Sequence, residues 1–216
     1  MVKKANHFFT EDEEKRITET IKRVEGKTIG EVAVMVVDSS DQYPEAEILA
    51  SIFISSLVSL ILSTAFFHHD LWIFISFCII LFFISMFFVK KNPILKSFFI
   101  DPKRAEYCVY ERAVKGFYEK RLYKTRMHTG VLIFISLLEK KVWILADEGI
   151  YKKIKQETLN EYVKKIAEGI KNNAACEALC YSIEGIGKIL SEHFPYQLGD
   201  LNELTDKVIY EAEDEK

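Results

Sequence analysis

Residues 48–89 form an almost uninterrupted apolar block, and this block constrains the fold more than any other feature of the chain. A polar break, His-His-Asp at 68–70, divides it into segments 48–67 and 71–89, neither of which contains Lys, Arg, Asp or Glu. At about 1.5 Å per helical residue, each segment is long enough to cross the roughly 30 Å hydrocarbon core of a bilayer. The sequence therefore predicts a transmembrane helical hairpin in contact with the lipid bilayer.

Positive charges flank the outer ends of this block and are missing from its turn. Five follow the second segment: Lys90, Lys91, Lys96, Lys103 and Arg104. Lys and Arg close to a membrane segment favour the cytoplasmic side. We therefore expect a multi-pass protein of the cell membrane, with both termini and the soluble domain in the cytoplasm. Because residues 7–28 are polar and charged, we expect no cleavable signal peptide.

The composition supports this division and excludes some classes of function. The chain is 49% hydrophobic and 28% charged, a combination that a uniform soluble domain seldom shows, and its net charge of -3 argues against binding nucleic acid. Its four cysteines, one of them within the second apolar segment, suggest a reduced compartment. Cys176 and Cys180 are spaced for one helix face, where packing is the favoured role and a shared metal the alternative.

The segments outside the block have the periodicities of an α/β domain. Thr10 and Glu13 form the pattern of a capping box before an amphipathic helix. Three short apolar runs, 31–37, 131–136 and 141–146, are typical of strands. The last two are close enough for an antiparallel hairpin, whereas the first reaches the second through the apolar block and a predicted helix, which permits parallel pairing.

These elements predict an α/β fold in which helices cover both faces of a small mixed sheet, interrupted by the two-helix transmembrane hairpin. In this division, residues 1–47 form the first part of the α/β domain, 48–89 the hairpin and 90–195 the second part. Residues 196–216 are expected to form an acidic tail that docks through Leu201, Leu204 and Val208.

Several short segments, taken in order, resemble the TPM domain family. They are Thr28-Ile-Gly-Glu31 before a Val-rich strand, Thr129-Gly-Val-Leu-Ile-Phe-Ile-Ser136, Val142-Trp-Ile-Leu-Ala-Asp-Glu-Gly-Ile150 and Gly199-Asp-Leu-Asn-Glu-Leu204 after Phe194-Pro195. The ending is similar to the bacterial integral membrane branch of that family. The resemblance implies an α/β sandwich around a small mixed sheet. In some relatives it also implies acid phosphatase activity or calcium binding, and in others a helper role toward membrane complexes.

The sequence assigns no catalytic residue and points to two acidic clusters as candidate metal sites. It contains no P-loop, nucleophile elbow or zinc-protease motif. Asp38 and Asp41 follow the first strand, at the edge where a parallel second strand would end, which is a favoured ligand position. Asp147 and Glu148 follow the third strand at the opposite edge, near Glu31. Either pair offers oxygen ligands for Ca²⁺ or Mg²⁺. The alternative is that Asp38 and Asp147 cap helices or turns.

We therefore expect a membrane-anchored binding or accessory module for complexes of other membrane proteins. The alternative function is a divalent-metal-dependent phosphatase acting on phosphomonoesters. Five serines repeat along the first apolar segment: Ser51, Ser55, Ser56, Ser59 and Ser63. Small residues at this spacing let helices approach closely, so this face should pack on the second segment or on another copy in a homo-oligomer.

Overall fold

The structure, a computed structural model, describes residues 4–66, 70–125, 127–197 and 205–211. These residues belong to two compact units, one made of residues 41–105 and the other of residues 4–40 and 106–211. Most of the predicted hairpin turn, His68 and His69, lies outside the described residues, as do Leu201 and Leu204 of the predicted tail.

The α/β unit is built on a four-stranded mixed sheet in the order β3-β2-β1-β4. Its strands are β1 (Glu31–Val37), β2 (Gly130–Ser136), β3 (Lys141–Ala146) and β4 (Ile209–Glu211). β1 pairs with β2 in parallel, and β2 pairs with β3 in antiparallel orientation, so the three predicted strands and both pairings are confirmed. The fourth strand, β4, was not predicted from the sequence; it pairs in parallel with β1 and lies within the predicted tail.

Eight α-helices are described: α1 (Glu11–Glu25), α2 (Pro44–Phe66), α3 (Leu71–Lys91), α4 (Pro93–Ser97), α5 (Pro102–Glu119), α6 (Glu148–Tyr151), α7 (Gln156–Lys171) and α8 (Ala175–His193). α1 begins with the predicted capping box. Thr10 Oγ1 accepts a hydrogen bond from the Glu13 N–H, and the Glu13 carboxylate accepts one from the Thr10 N–H at 2.8 Å. These two bonds satisfy backbone donors that the first turn of a helix otherwise leaves unpaired.

One hydrophobic cluster joins α1, α7 and α8 to the sheet. From β1 it takes Val32, Val34 and Val36, all of them buried. A second cluster takes the alternate residues of the same strand, Ala33, Met35 and Val37, and joins them to residues of α5. Successive side chains of a strand point to opposite faces of the sheet, so the two clusters lie on opposite sides of β1. That helices cover the whole of both faces stays a prediction.

Side chains protect the backbone at both edges of the sheet. At the β3 edge, the Ala146 N–H donates to the Tyr151 hydroxyl at 3.2 Å, and the Gln156 side chain donates to the Ile144 carbonyl at 3.4 Å. On the other side, the Val32 N–H of β1 donates to Glu25 Oε1 at 3.0 Å. Exposed strand edges promote aggregation, and these contacts leave fewer free backbone groups for it.

In the other unit, α2 and α3 pack against each other and are long and apolar enough to span a membrane. Their most apolar stretches have a mean hydropathy of 2.2 and 2.7, respectively. The unit extends beyond the apolar block, because it also includes α4 and the first residues of α5.

Gly187 lets α8 approach α1 closely. A Cβ atom placed on Gly187 would lie 2.3 Å from a methyl group of Val24, well inside van der Waals contact. Gly is unfavourable in the interior of a helix, so its presence here is explained by packing.

Gly187→Ala should therefore lower the free energy of unfolding by about 1–3 kcal/mol, because the added methyl group overpacks the α1/α8 contact. In the Val24→Ala/Gly187→Ala double variant the loss should be smaller than the sum of the single losses. Urea unfolding in detergent, followed by tryptophan fluorescence, measures this in a Trp72→Phe background, which leaves Trp143 as the only reporter. Lys188→Ala, at the exposed neighbouring position, is the control. Additive losses would contradict the packing argument.

Candidate functional site

In the α2/α3 hairpin, apolar and polar side chains are distributed in the opposite way to those of a domain that folds in water. Large apolar side chains point outward: Trp72 is 78% exposed and Phe83 is 68% exposed. Its buried positions include small polar residues, namely Ser51, Ser55, Ser59, Ser63 and Ser85. An apolar surface of this extent is unfavourable in water, whereas in hydrocarbon it is favourable, and helices there pack through small residues. The hairpin surface is therefore suited to lipid or to other apolar helices.

Most of the hydroxyl groups in this hairpin donate to backbone carbonyls. Ser51 Oγ donates to the Glu47 carbonyl at 2.6 Å, and Ser85 Oγ on α3 donates to the Ser51 carbonyl on α2 at 3.0 Å. Asp70 caps α3 through the Trp72 N–H at 2.8 Å. Internal partners of this kind are required wherever water is absent. The predicted Ser face thus packs on the second segment of the same chain, and a contact between copies stays a prediction.

A buried lysine ties the segment after α3 to the start of α2. Lys96 is 5% exposed, and its ammonium group donates to the Gln42 carbonyl at 2.8 Å and to the Glu47 carboxylate at 3.2 Å. A buried ammonium needs such partners, because an unpaired charge in a low-dielectric site is strongly destabilising. Lys96 therefore holds the two ends of the hairpin unit together.

The first predicted metal pair, Asp38 and Asp41, falls in different units, and each carboxylate has a protein partner. Asp38 accepts a hydrogen bond from the Ala5 N–H. Asp41 forms an ion pair with Arg104 at 3.0 Å and accepts a hydrogen bond from the N–H of the next residue. These contacts are structural, and a metal role for the pair stays a prediction.

The second predicted pair, Asp147 and Glu148, lies at the sheet end where the sequence analysis expected it, because the Asp147 N–H donates to the Gly130 carbonyl beside Glu31. Asp147 caps α6 through the Glu148 N–H at 2.7 Å, which confirms the capping alternative, and its other oxygen lies 3.3 Å from His128 Nδ1. Glu148 pairs with Lys152 at 2.8 Å, and this contact holds the pKa of Glu148 below its ordinary value.

Within the ranges that the structure describes, no three His, Cys, Asp or Glu side chains are arranged to hold a metal ion. Cys176 and Cys180 lie on one face of α8 as predicted. Burial raises the pKa of Cys176 to about 12, with a further contribution from Cys180, and Cys176 Sγ donates to the Glu13 carbonyl at 3.8 Å. The Cys176 thiol is therefore protonated at neutral pH, which favours packing over metal binding.

A network that the sequence did not predict lies at the carboxyl ends of β1 and β2, where Ser40 and Ser136 are buried and Glu139 is half-buried. Ser40 Oγ donates to Ser136 Oγ at 2.9 Å, and Ser136 Oγ in turn donates to Glu139. The same carboxylate accepts the Ser40 N–H at 2.8 Å. In the sequence, the only signal of this network is the Ser-x-x-Glu spacing at the β2–β3 turn. Because Glu139 receives both bonds, the network fixes the loop that leaves β1.

A second group that was missed consists of carboxyl groups near the outer edge of β1. The Glu25 side chain, which accepts the Val32 N–H, is hydrogen-bonded to Asp206 and lies near Glu31. Burial is the main cause that raises the pKa of Glu25 to about 8, and the two acidic neighbours add to it. The Lys22 ammonium lies 3.9 Å from Asp206 and offsets part of the negative charge. At neutral pH, Glu25 is therefore mostly protonated and joins α1 to the segment before β4.

The comparisons with known proteins bear on the fold. No model of a known protein family matches the chain, and no curated protein sequence matches it. The chain is similar to the NMR structure of the BA42 protein from the psychrophilic bacterium Bizionia argentinensis, with a TM-score of 0.60 and 20% sequence identity. The match covers 94% of this chain and 96% of that one. At this identity the similarity establishes the fold alone, and the resemblance to the TPM domain family stays a prediction.

The raised pKa of Glu25 predicts a pH-dependent stability. The native state holds a proton that the unfolded state releases near pH 4.5, so the contribution of Glu25 to stability is full below that pH and is lost as the pH rises to about 8. Glu25→Gln keeps the acceptor for Val32 and a donor for Asp206 and should remove this loss. At pH 8.5 the variant should therefore have a higher melting temperature than the unmodified chain. Glu19→Gln, at an exposed position of α1, is the control; equal pH profiles for Glu25→Gln and the unmodified chain would refute the assignment.

Proposed function

We propose that the chain is an integral membrane protein whose α/β unit is a cytoplasmic binding or accessory module for membrane protein complexes. The outward display of large apolar side chains on α2 and α3, over a buried Ser face, is the observation that carries the membrane assignment. We also infer that helices cover both faces of the sheet, which the two hydrophobic clusters on either side of β1 support. This architecture agrees with the resemblance to the TPM domain family.

The orientation follows from the charges that border the hairpin. Lys90 and Lys91 end α3, and further Lys and Arg residues follow, whereas Asp70 at the start of α3 is acidic. A cytoplasmic location of both chain ends is therefore favoured.

A binding role is favoured over catalysis by the protein partners of the acidic side chains that were candidate metal ligands. The acidic residues that suggested a metal site cap α6, bind Ala5 or pair with lysine and arginine. The alternative, a phosphatase that depends on a divalent metal, requires these carboxylates to exchange their present partners for Ca²⁺ or Mg²⁺.

A topology assay tests the membrane assignment. A reporter fused after Lys216 should behave as cytoplasmic, and one inserted between His69 and Asp70 should be translocated. Replacing Lys90 and Lys91 with Gln should weaken this preference, whereas Lys171→Gln on α7 should leave it unchanged. A translocated C-terminal reporter would overturn the orientation.

Affinity capture of the intact protein from native membranes, after cross-linking, tests the accessory role. We expect a discrete complex with one or a few membrane proteins that is retained when α2 and α3 are replaced by an unrelated two-helix hairpin, because the α/β unit is proposed to make the contact. Loss of the complex on that replacement would assign binding to the hairpin instead.

The same preparation also tests the alternative function, a phosphatase that depends on a divalent metal. It should release no phosphate from a generic phosphomonoester with Mg²⁺ or Ca²⁺. Release that disappears in Asp38→Asn/Asp41→Asn or in Asp147→Asn/Glu148→Gln would establish the phosphatase and place its metal.

A further inference from the structure

The outer edge of β1 is only partly covered by β4. Met35, Val36 and Val37 pair with Ile209, Tyr210 and Glu211, so that β4 matches three residues of the seven in β1. In the first half of this edge, the Val32 N–H is covered by the Glu25 side chain in place of a strand. An extended segment longer than β4 would therefore find further backbone groups to pair with.

In the segment that ends in β4, successive side chains alternate between the two faces of the sheet. Val208 and Tyr210 pack against the cluster of α1, α7 and α8, and Ile209 packs against the cluster of α5. All three are only partly buried. The edge thus accepts apolar side chains at alternating positions of an extended segment.

A basic site formed by α5 and the residue that follows it receives the carboxylate at the end of β4. Arg112 forms an ion pair with Glu211 through Nη2, and Lys120 lies 3.3 Å from the same carboxylate. Arg112 also pairs with Glu119 at 3.3 Å, yet it is only 6% exposed. Its buried Nε atom has no hydrogen-bond partner among the described residues. A buried guanidinium favours binding of a carboxylate, because a buried positive charge without a negative partner is destabilising.

We propose that the outer edge of β1, together with Arg112 and Lys120, is a docking site for an extended segment of a partner membrane protein. The segment has apolar side chains at successive positions, which alternate between the two faces of the sheet, followed by an acidic residue. Val208–Glu211 of the chain itself is the resident occupant that this segment replaces. The inference rests on the proposed binding role and names the chemistry of the partner.

The physical basis for replacement is length. The resident segment benefits from being tethered, which raises its effective concentration at the edge. A partner segment that continues past the position of Ile209 toward Val32 displaces the Glu25 side chain and adds backbone hydrogen bonds that β4 does not make. Main-chain pairing then supplies affinity, and the acidic residue on Arg112 supplies specificity and register.

A peptide-binding experiment on the full chain in lipid nanodiscs tests the proposal. The probe is a fluorescent, C-terminally amidated peptide with the sequence of residues 205–211, Thr-Asp-Lys-Val-Ile-Tyr-Glu, and anisotropy measures its binding. The variant Ile209→Asn/Glu211→Gln weakens the resident segment and should bind the peptide more tightly than the unmodified chain does. A peptide that ends in Gln in place of Glu should bind this variant at least about tenfold more weakly, the loss expected for one charged hydrogen-bonded contact.

The control is Lys164→Gln, which removes an exposed positive charge from α7 and should leave peptide binding unchanged. The peptide substitution cannot impair folding of the protein, so equal binding of the Glu and Gln peptides would overturn the proposal, as would no binding to the variant. Dimers formed by exchange of residues 208–211 between copies would also overturn it, by assigning the edge to a second copy.

The same variants distinguish this inference from the proposed function. If the complex captured from membranes is unchanged by Arg112→Gln and by Ile209→Asn/Glu211→Gln, the docking site is wrong while the accessory role stands. If the peptide binds as expected but no discrete complex is captured, the accessory role fails while the strand-docking chemistry stands.

Discussion

The structure of the α/β unit depends on the parallel pairing of β1 with β2. All seven residues of β1 pair with β2, from Glu31 opposite Gly130 to Val37 opposite Ser136. β3 and β4 extend the sheet from these two strands, and both hydrophobic clusters include their side chains. The chain joins β1 to β2 through α2, α3, α4 and α5. Such a long connection is tolerated because the entropy of loop closure rises only slowly with length.

Two opposite arrangements of polarity occur in one chain because its two units are suited to different surroundings. In the α/β unit, valines and isoleucines of β1 and β2 are buried, and most charged side chains face water, with Glu31 and Arg112 as buried exceptions. In the hairpin, the buried side chains include five serines, whereas the exposed ones include Phe53, Phe66, Phe83, Phe87 and Phe88. Hydrophobic burial stabilises the first unit. In a membrane it cannot hold two apolar helices together, so close packing and hydroxyl–carbonyl bonds such as that of Ser85 are needed.

Charged groups in this fold mainly position segments of the chain. Lys96 ties α4 to the start of α2, and Arg112 holds the end of β4. Glu25 takes the place of a strand at the edge of β1. Removing one partner of such a buried charged or protonated group is strongly destabilising. The contacts of α1 and α5 with the C-terminal segment therefore depend on the charge of these groups.

The sequence by itself determined the elements whose periodicity is local: the apolar hairpin, the capping box at Thr10, the three longer strands and their pairing. The length of each connection was enough to predict which pair of strands is parallel and which is antiparallel. The tertiary structure alone decided the partners of the polar groups and the fate of the tail. β4 has three residues and no detectable period, and it exists as a strand because the edge of β1 and Arg112 lie beside it. Likewise, a local pattern of carboxylates cannot tell a metal ligand from a helix cap or an ion-pair partner. Only the fold decides, because it determines which groups lie within hydrogen-bond distance, as Arg104 does of Asp41.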